Sequence, residues 1–140
     1  MGVRVGARAW ASAGIAAVAV MGLAMPASAG TSGVTARETV CYGGTTICNN
    51  TYGSGNGISE VIASRNLNTT AEFGFFELFG PGSYKQTGPT NRESDHTFKV
   101  NASFPRGSLI CVSFWNRNAN GSFTKVGGKN GNACTSTPIG

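Results

Sequence analysis

Ser94-Asp95-His96 brings together the three residue types of a hydrolytic triad, and His96 is the single histidine of the 140-residue chain. A triad needs nucleophile, base and orienting acid to converge. Successive residues of an extended chain point to opposite faces, so these three neighbours cannot form that line. No Gly-x-Ser-x-Gly elbow supplies another nucleophile. His96 is therefore expected as an exposed residue at the start of a strand. Glu77 is the second acid of interest, because it stands two residues from both Phe75 and Phe79 and an aromatic setting suits a general acid. Glycoside hydrolysis also requires a second carboxylate about 5 to 9.5 Å away. Glu72 has the opposite strand parity, and Glu60 or Glu93 could approach only through the fold. The expectation for Glu77 is a sheet rim and an ion pair with Lys or Arg. No catalytic constellation assembles, and the protein is expected not to be an enzyme.

Four cysteines, Cys41, Cys48, Cys111 and Cys134, form an even set. Cys-x6-Cys with one histidine is not a zinc spacing, and there is no Cys-x-x-Cys redox pair. No metal and no cofactor is expected; two disulfides are. Three pairings exist, and proximity favours Cys41–Cys48 around a hairpin turning at Gly43-Gly44, with Cys111–Cys134 flanking a second hairpin. In the chain-entropy picture these loops contribute about 2.5 and 3.4 kcal/mol.

Aromatic side chains next to cations offer the remaining chemistry, since sugar rings stack on aromatic faces. Trp115 closes an apolar strand beside Asn116-Arg117-Asn118, and Tyr84 stands with Lys85 and Arg92 in the polar stretch Gly80 to Asp95. Tyr84, Lys85, Arg92 and Trp115 are the candidate binding residues. Four Asn-x-Ser/Thr sequons, at Asn49, Asn68, Asn101 and Asn120, indicate surface turns.

The elements that must carry these residues are strands. From Gly30 onward the chain holds 17 Gly, 14 Thr and 12 Asn, residues poor in helix interiors and common in turns and strands. Strands are expected at 38–42, 45–52, 58–64, 70–79, 96–100, 107–116 and 122–126. In 70–79, Phe73, Phe75, Glu77 and Phe79 share one face, and Glu72, Gly74, Phe76 and Leu78 the other. Aromatics on both faces predict a central strand, or one covered on both sides. In 107–116, Leu109, Cys111 and Trp115 oppose Ile110, Val112 and Phe114. Asn120-Gly121 suits a type I′ turn. The stretch Gly80 to Asp95 reads as a long structureless loop. Together these predict an all-β fold, a small antiparallel β-sandwich of about seven short strands held by two disulfides.

Residues 1–29 read as an export signal that is cleaved. Arg4 and Arg8 precede an apolar run from Ala9 to Met25, Pro26 breaks it, and Ala27-Ser28-Ala29 suits a signal peptidase. The run is short for a membrane span, no lipid-anchor cysteine adjoins the cut, and the arginines are not a twin pair. Its Ala-, Gly- and Val-rich composition suggests a bacterial signal. Residues 30–37 are expected as a flexible arm and 38–140 as one domain. Removing the signal lowers the net charge from +5 to +3, a mild excess without the clustered cations of a nucleic-acid footprint.

Phe75-Phe76-Glu77-Leu78-Phe79-Gly80-Pro81-Gly82, the strand from Cys111 to Trp115 and the late Cys134 resemble small secreted actinobacterial β-domain proteins of uncharacterised function, over about residues 70 to 135. The resemblance implies a secreted, disulfide-bonded β domain and transfers no catalytic residue. The functional expectation is an extracellular, non-enzymatic binding module for a glycan or cell-envelope polymer. Its rivals are an inhibitor or toxin-like effector that acts on another extracellular protein, and a structural cell-surface protein. No nucleic acid and no membrane anchor is expected, and the sequence sets no oligomeric state.

Overall fold

The computed structural model describes residues 35–44, 46–66 and 73–140. The export signal, residues 30–34 of the arm, Asn68 and Glu72 lie outside the described residues. Among the described residues nine strands form: β1 (Ala36–Tyr42), β2 (Ile47–Ser54), β3 (Gly57–Arg65), β4 (Gly74–Phe79), β5 (Lys85–Thr87), β6 (Asp95–Ser103), β7 (Leu109–Arg117), β8 (Phe123–Lys125) and β9 (Ala133–Ser136). One sheet runs β1-β2-β3-β6. The other runs β5-β4-β7-β8, with β9 pairing the first half of β7. Every pairing is antiparallel.

The period-two pattern of the sequence explains how the sheets pack. Val61 and Ala63 of β3 and Phe98 of β6 point inward from the first sheet, and Phe76 and Leu78 of β4 with Ile110, Val112 and Phe114 of β7 point inward from the second. All are buried in one apolar cluster. Aliphatic and aromatic burial on this scale is the main favourable term in folding.

The inward side chains of β2 break the pattern. They are Ile47, Asn49 and Thr51, and both polar residues are fully buried. Asn49 Nδ2 donates to the carbonyls of Ile110 (2.8 Å) and Ala133 (3.2 Å) in the opposite sheet. Thr51 Oγ1 lies 2.7 Å from Asn49 Oδ1 and 2.7 Å from Thr135 Oγ1 of β9. Each hydroxyl has one proton, which sets the direction of the chain. Thr51 donates to Asn49, Thr135 donates to Thr51, and the two amide protons of Asn49 go to the two carbonyls. This inter-sheet network leaves none of these side-chain donors unmade. It also removes Asn49 as a surface sequon.

Both disulfides take the neighbour pairing, Cys41–Cys48 and Cys111–Cys134. Each joins residues directly opposite in adjacent strands, β1 to β2 and β7 to β9. The disulfides therefore staple strands within a sheet, and the sheets are joined by the core and the Asn49 network.

Several expectations are corrected. The region Gly80 to Asp95 is not structureless. It turns at Pro81, runs back along β4 as β5, and continues through Gly88 N–H to Phe76 O (2.9 Å) and a two-way bridge between Asn91 and Gly74. Lys85-Gln86-Thr87 carries no apolar signal, so only the free edge of β4 makes it a strand. β9 was likewise silent, and its pairing with β7 brings Cys134 opposite Cys111. The arm's last two residues, Ala36 and Arg37, are already in β1. His96 is half-buried rather than exposed, with its ring against the edge of Phe98 (4.6 Å, 83°). The β7–β8 turn is not type I′. Gly121 has φ 85° but Asn120 does not adopt positive φ, because its Oδ1 accepts from Ser122 N (3.0 Å) and Ser122 Oγ (2.6 Å). The result is a three-residue turn with glycine in the left-handed position, closed by Asn118 N to Ser122 O (2.7 Å).

Thr51→Val keeps the side-chain volume but deletes the proton donated to Asn49. It should lower stability by about 1–3 kcal/mol in urea unfolding with the disulfides intact, and an unchanged midpoint would show the network to be unimportant. Replacing Cys111 and Cys134 together with Ala should cost more than replacing Cys41 and Cys48, about 3.4 against 2.5 kcal/mol, because the first pair closes the longer loop (separation 23 against 7).

Candidate functional site

The outward face of the second sheet gathers most of the aromatic and cationic side chains not used by the core. Gly74 lets β4 approach β7 closely enough to build it. A Cβ there would stand 2.1 Å from Trp115 O and 2.6 Å from the Phe114 ring, so no larger residue fits between the two strands. Register then sets the neighbours. Phe75 lies opposite Trp115, which lies opposite Lys125; Arg117 lies opposite Phe123; Glu77 lies opposite Ser113; Phe79 lies opposite Cys111.

Phe75 and Trp115 are nearly parallel, with centroids 6.2 Å apart and planes at 13°. Phe123 meets Phe75 edge-on at 5.0 Å, and at 39% exposure it is one of two large apolar side chains open to solvent among the described residues, with Leu109. The guanidiniums of Arg92 and Arg117 both lie over Phe73, at 5.7 and 5.6 Å. The ammonium of Lys125 lies 5.6 Å from the ring of Phe79. Since Lys125 starts beside Trp115 and ends beside Phe79, its stem crosses the row that contains Ser113. Ser113 is fully buried although it points outward. Ser113 Oγ and Trp115 Nε1 are both buried and make no hydrogen bond within the described residues. Groups of this kind are rare in folded proteins and call for an explanation.

Three of the four sequence-derived candidates meet on this face. Trp115 is half-buried at its centre, Arg92 is over Phe73, and Lys85 is on β5 with its ammonium 2.6 Å from Glu77 Oε2. The ion pair is the one expected of Glu77, but the sheet rim is not found: Glu77 stands inside its sheet, opposite Thr87 of β5 and Ser113 of β7. No group of three His, Cys, Asp or Glu side chains suited to a metal occurs among the described residues. Tyr84 goes elsewhere. Its ring packs edge-on against buried Phe104 (5.0 Å) and its hydroxyl accepts from Gln86 Nε2 (2.6 Å), so it plugs the core. Phe73, Phe75, Arg117, Lys125 and Phe123 were not singled out. Strand parity carried the signal for the first three, since Phe73 and Phe75 alternate with the core positions of β4 and Arg117 shares the parity of Trp115. Lys125 and Phe123 depend on the register of a three-residue strand.

The outward face of the first sheet is different in kind. Arg37 and Thr39 both donate to Asn50 Oδ1 (2.6 and 3.0 Å), Arg37 lies over Tyr52, and Lys99 pairs with Glu60. Its polar groups satisfy one another across the strands. A shallow depression of about 400 Å³ lies toward one end of this sheet, lined by small and polar residues such as Gly53, Ser54, Ser59 and Ser103. It holds neither a charged nor an aromatic side chain.

With Trp10→Phe leaving Trp115 as the one tryptophan, iodide should quench its fluorescence more efficiently than caesium, because Arg117 and Lys125 concentrate anions beside the indole. Added sodium chloride should narrow the difference. Absence of quenching by either ion would place Trp115 beyond solvent contact and remove it from the site.

Among the described residues no helix is long and apolar enough to cross a membrane. No protein-family model matches the chain, nor does any curated protein or solved structure compared with it.

Proposed function

We propose that this is an extracellular binding module whose ligand is a glycan or cell-envelope polymer, held on the outward face of the second sheet. The observation that carries the reading is the cross-strand group of Phe75, Trp115 and Phe123, an aromatic surface on strands rather than on loops. Pyranose rings present flat C–H faces that stack on such surfaces, and rigid strands hold the geometry without an ordering cost on binding. Two disulfides fit an oxidising, extracellular setting, in line with the export signal read from residues 1–29.

Retention on insoluble peptidoglycan, chitin and cellulose at low salt tests the reading. At least one polymer should retain the protein, and Phe75→Ala or Trp115→Ala should weaken retention about tenfold, the scale expected for loss of one stacking partner. Passage through all three polymers without retention would overturn it.

A further inference from the structure

We infer that the polymer is acidic, a polysaccharide built of uronic-acid units, recognised by sugar stacking at the centre of the face and by carboxylate capture on either side. The inference rests on the binding function proposed above and adds the chemical class of the ligand.

Three features carry it. The first is the order of groups along β4. At one end the guanidiniums of Arg92 and Arg117 converge over Phe73. In the middle stand Phe75, Trp115 and Phe123. At the other end the ammonium of Lys125 reaches Phe79. Phe73 and Phe79 are six residues apart, about 20 Å in a strand, so the pattern of cation, ring surface and cation suits an extended chain rather than a single sugar. A uronate polymer offers both a ring face and a carboxylate on every unit, whereas a poly(glycerol phosphate) chain offers charge without a ring to stack.

The second is charge balance on the face. Glu77 on this face is engaged by Lys85, while Arg117 and Lys125 have no carboxylate partner among the described residues. Arg117 and Lys125, held over aromatic rings, keep outer N–H groups available, and a guanidinium matches a carboxylate with two parallel hydrogen bonds.

The third is independent of charge. Trp115 Nε1, a donor only, and fully buried Ser113 Oγ lack partners, and both belong to outward positions of β7 between the two cationic ends. Both atoms are closed to solvent, and an oxygen-rich ligand supplies acceptors to them only where the side chains above them move aside.

The experiment measures affinity of the protein for soluble polygalacturonate, its methyl ester and poly(glycerol phosphate), each at low and high salt. Polygalacturonate should bind with a strong salt dependence. Methyl esterification, which keeps the rings and removes the charge, should weaken binding about tenfold or more. Arg117→Ala and Lys125→Ala should each weaken polygalacturonate binding about fivefold or more without moving the thermal midpoint. Equal binding of the acid and its ester, or tighter binding of poly(glycerol phosphate), overturns the uronate inference. If insoluble peptidoglycan, chitin or cellulose still retains the protein in that case, the binding function stands. No binding to any soluble or insoluble polymer overturns both.

Discussion

Asn49 donates both amide protons to carbonyls of the opposite sheet, and its own carbonyl accepts from Thr51. The relation between the two sheets depends on this connection. Apolar contact between sheets is attractive but non-directional, and a sandwich core tolerates sliding. A buried amide with three partners does not, because a shift of one residue would strand a donor at a cost of roughly 1–3 kcal/mol. The disulfides cannot do this job, since each links neighbours within one sheet. They shorten the unfolded chain; the Asn49–Thr51–Thr135 chain fixes which part of β2 faces β7 and β9.

The two outward faces follow from the same geometry. In β4 and β7 every second residue is committed to the core, and the outward residues between them include the aromatics Phe75, Phe79 and Trp115. The outward aromatics of β4 are shielded by one another and by side chains of the same sheet, which is why Phe75 and Trp115 stay only half-buried. On the first sheet the outward positions include Asn50, Tyr52 and Glu60, each paired across the strand with a complementary group, beside Ile62. One face closes on itself through polar pairs, and the other is left apolar and cationic. That asymmetry is the reason the proposed ligand surface is assigned to the second sheet.

Much of the framework was legible along the chain. Alternation placed Phe76 and Leu78 against Phe73, Phe75 and Phe79, and Ile110, Val112 and Phe114 against Cys111 and Trp115, because strand parity is a local property. Loop length favoured the observed cysteine pairing. Less legible were β5, whose residues are polar, and β9, which is four small residues (Ala133–Ser136), since the strand state of both comes from the edges they meet. Tyr84 illustrates the same limit: its neighbours Lys85 and Arg92 suggested an exposed cluster, but the turn at Pro81 carries its ring inward to Phe104.

By itself the sequence determined the all-β class, the two faces of each long strand and the residues able to stack or carry charge. Those properties depend on residue type and a period of two, which need no partner strand. Only the tertiary structure decided that Asn49 is a buried tie rather than a surface sequon, that the Gly80 to Asp95 stretch is an edge of the sheet, and that Arg92, Arg117 and Lys125 converge on one aromatic face. Each of these depends on register between strands distant in sequence, and register is set by long-range hydrogen bonds and close packing rather than by any single segment.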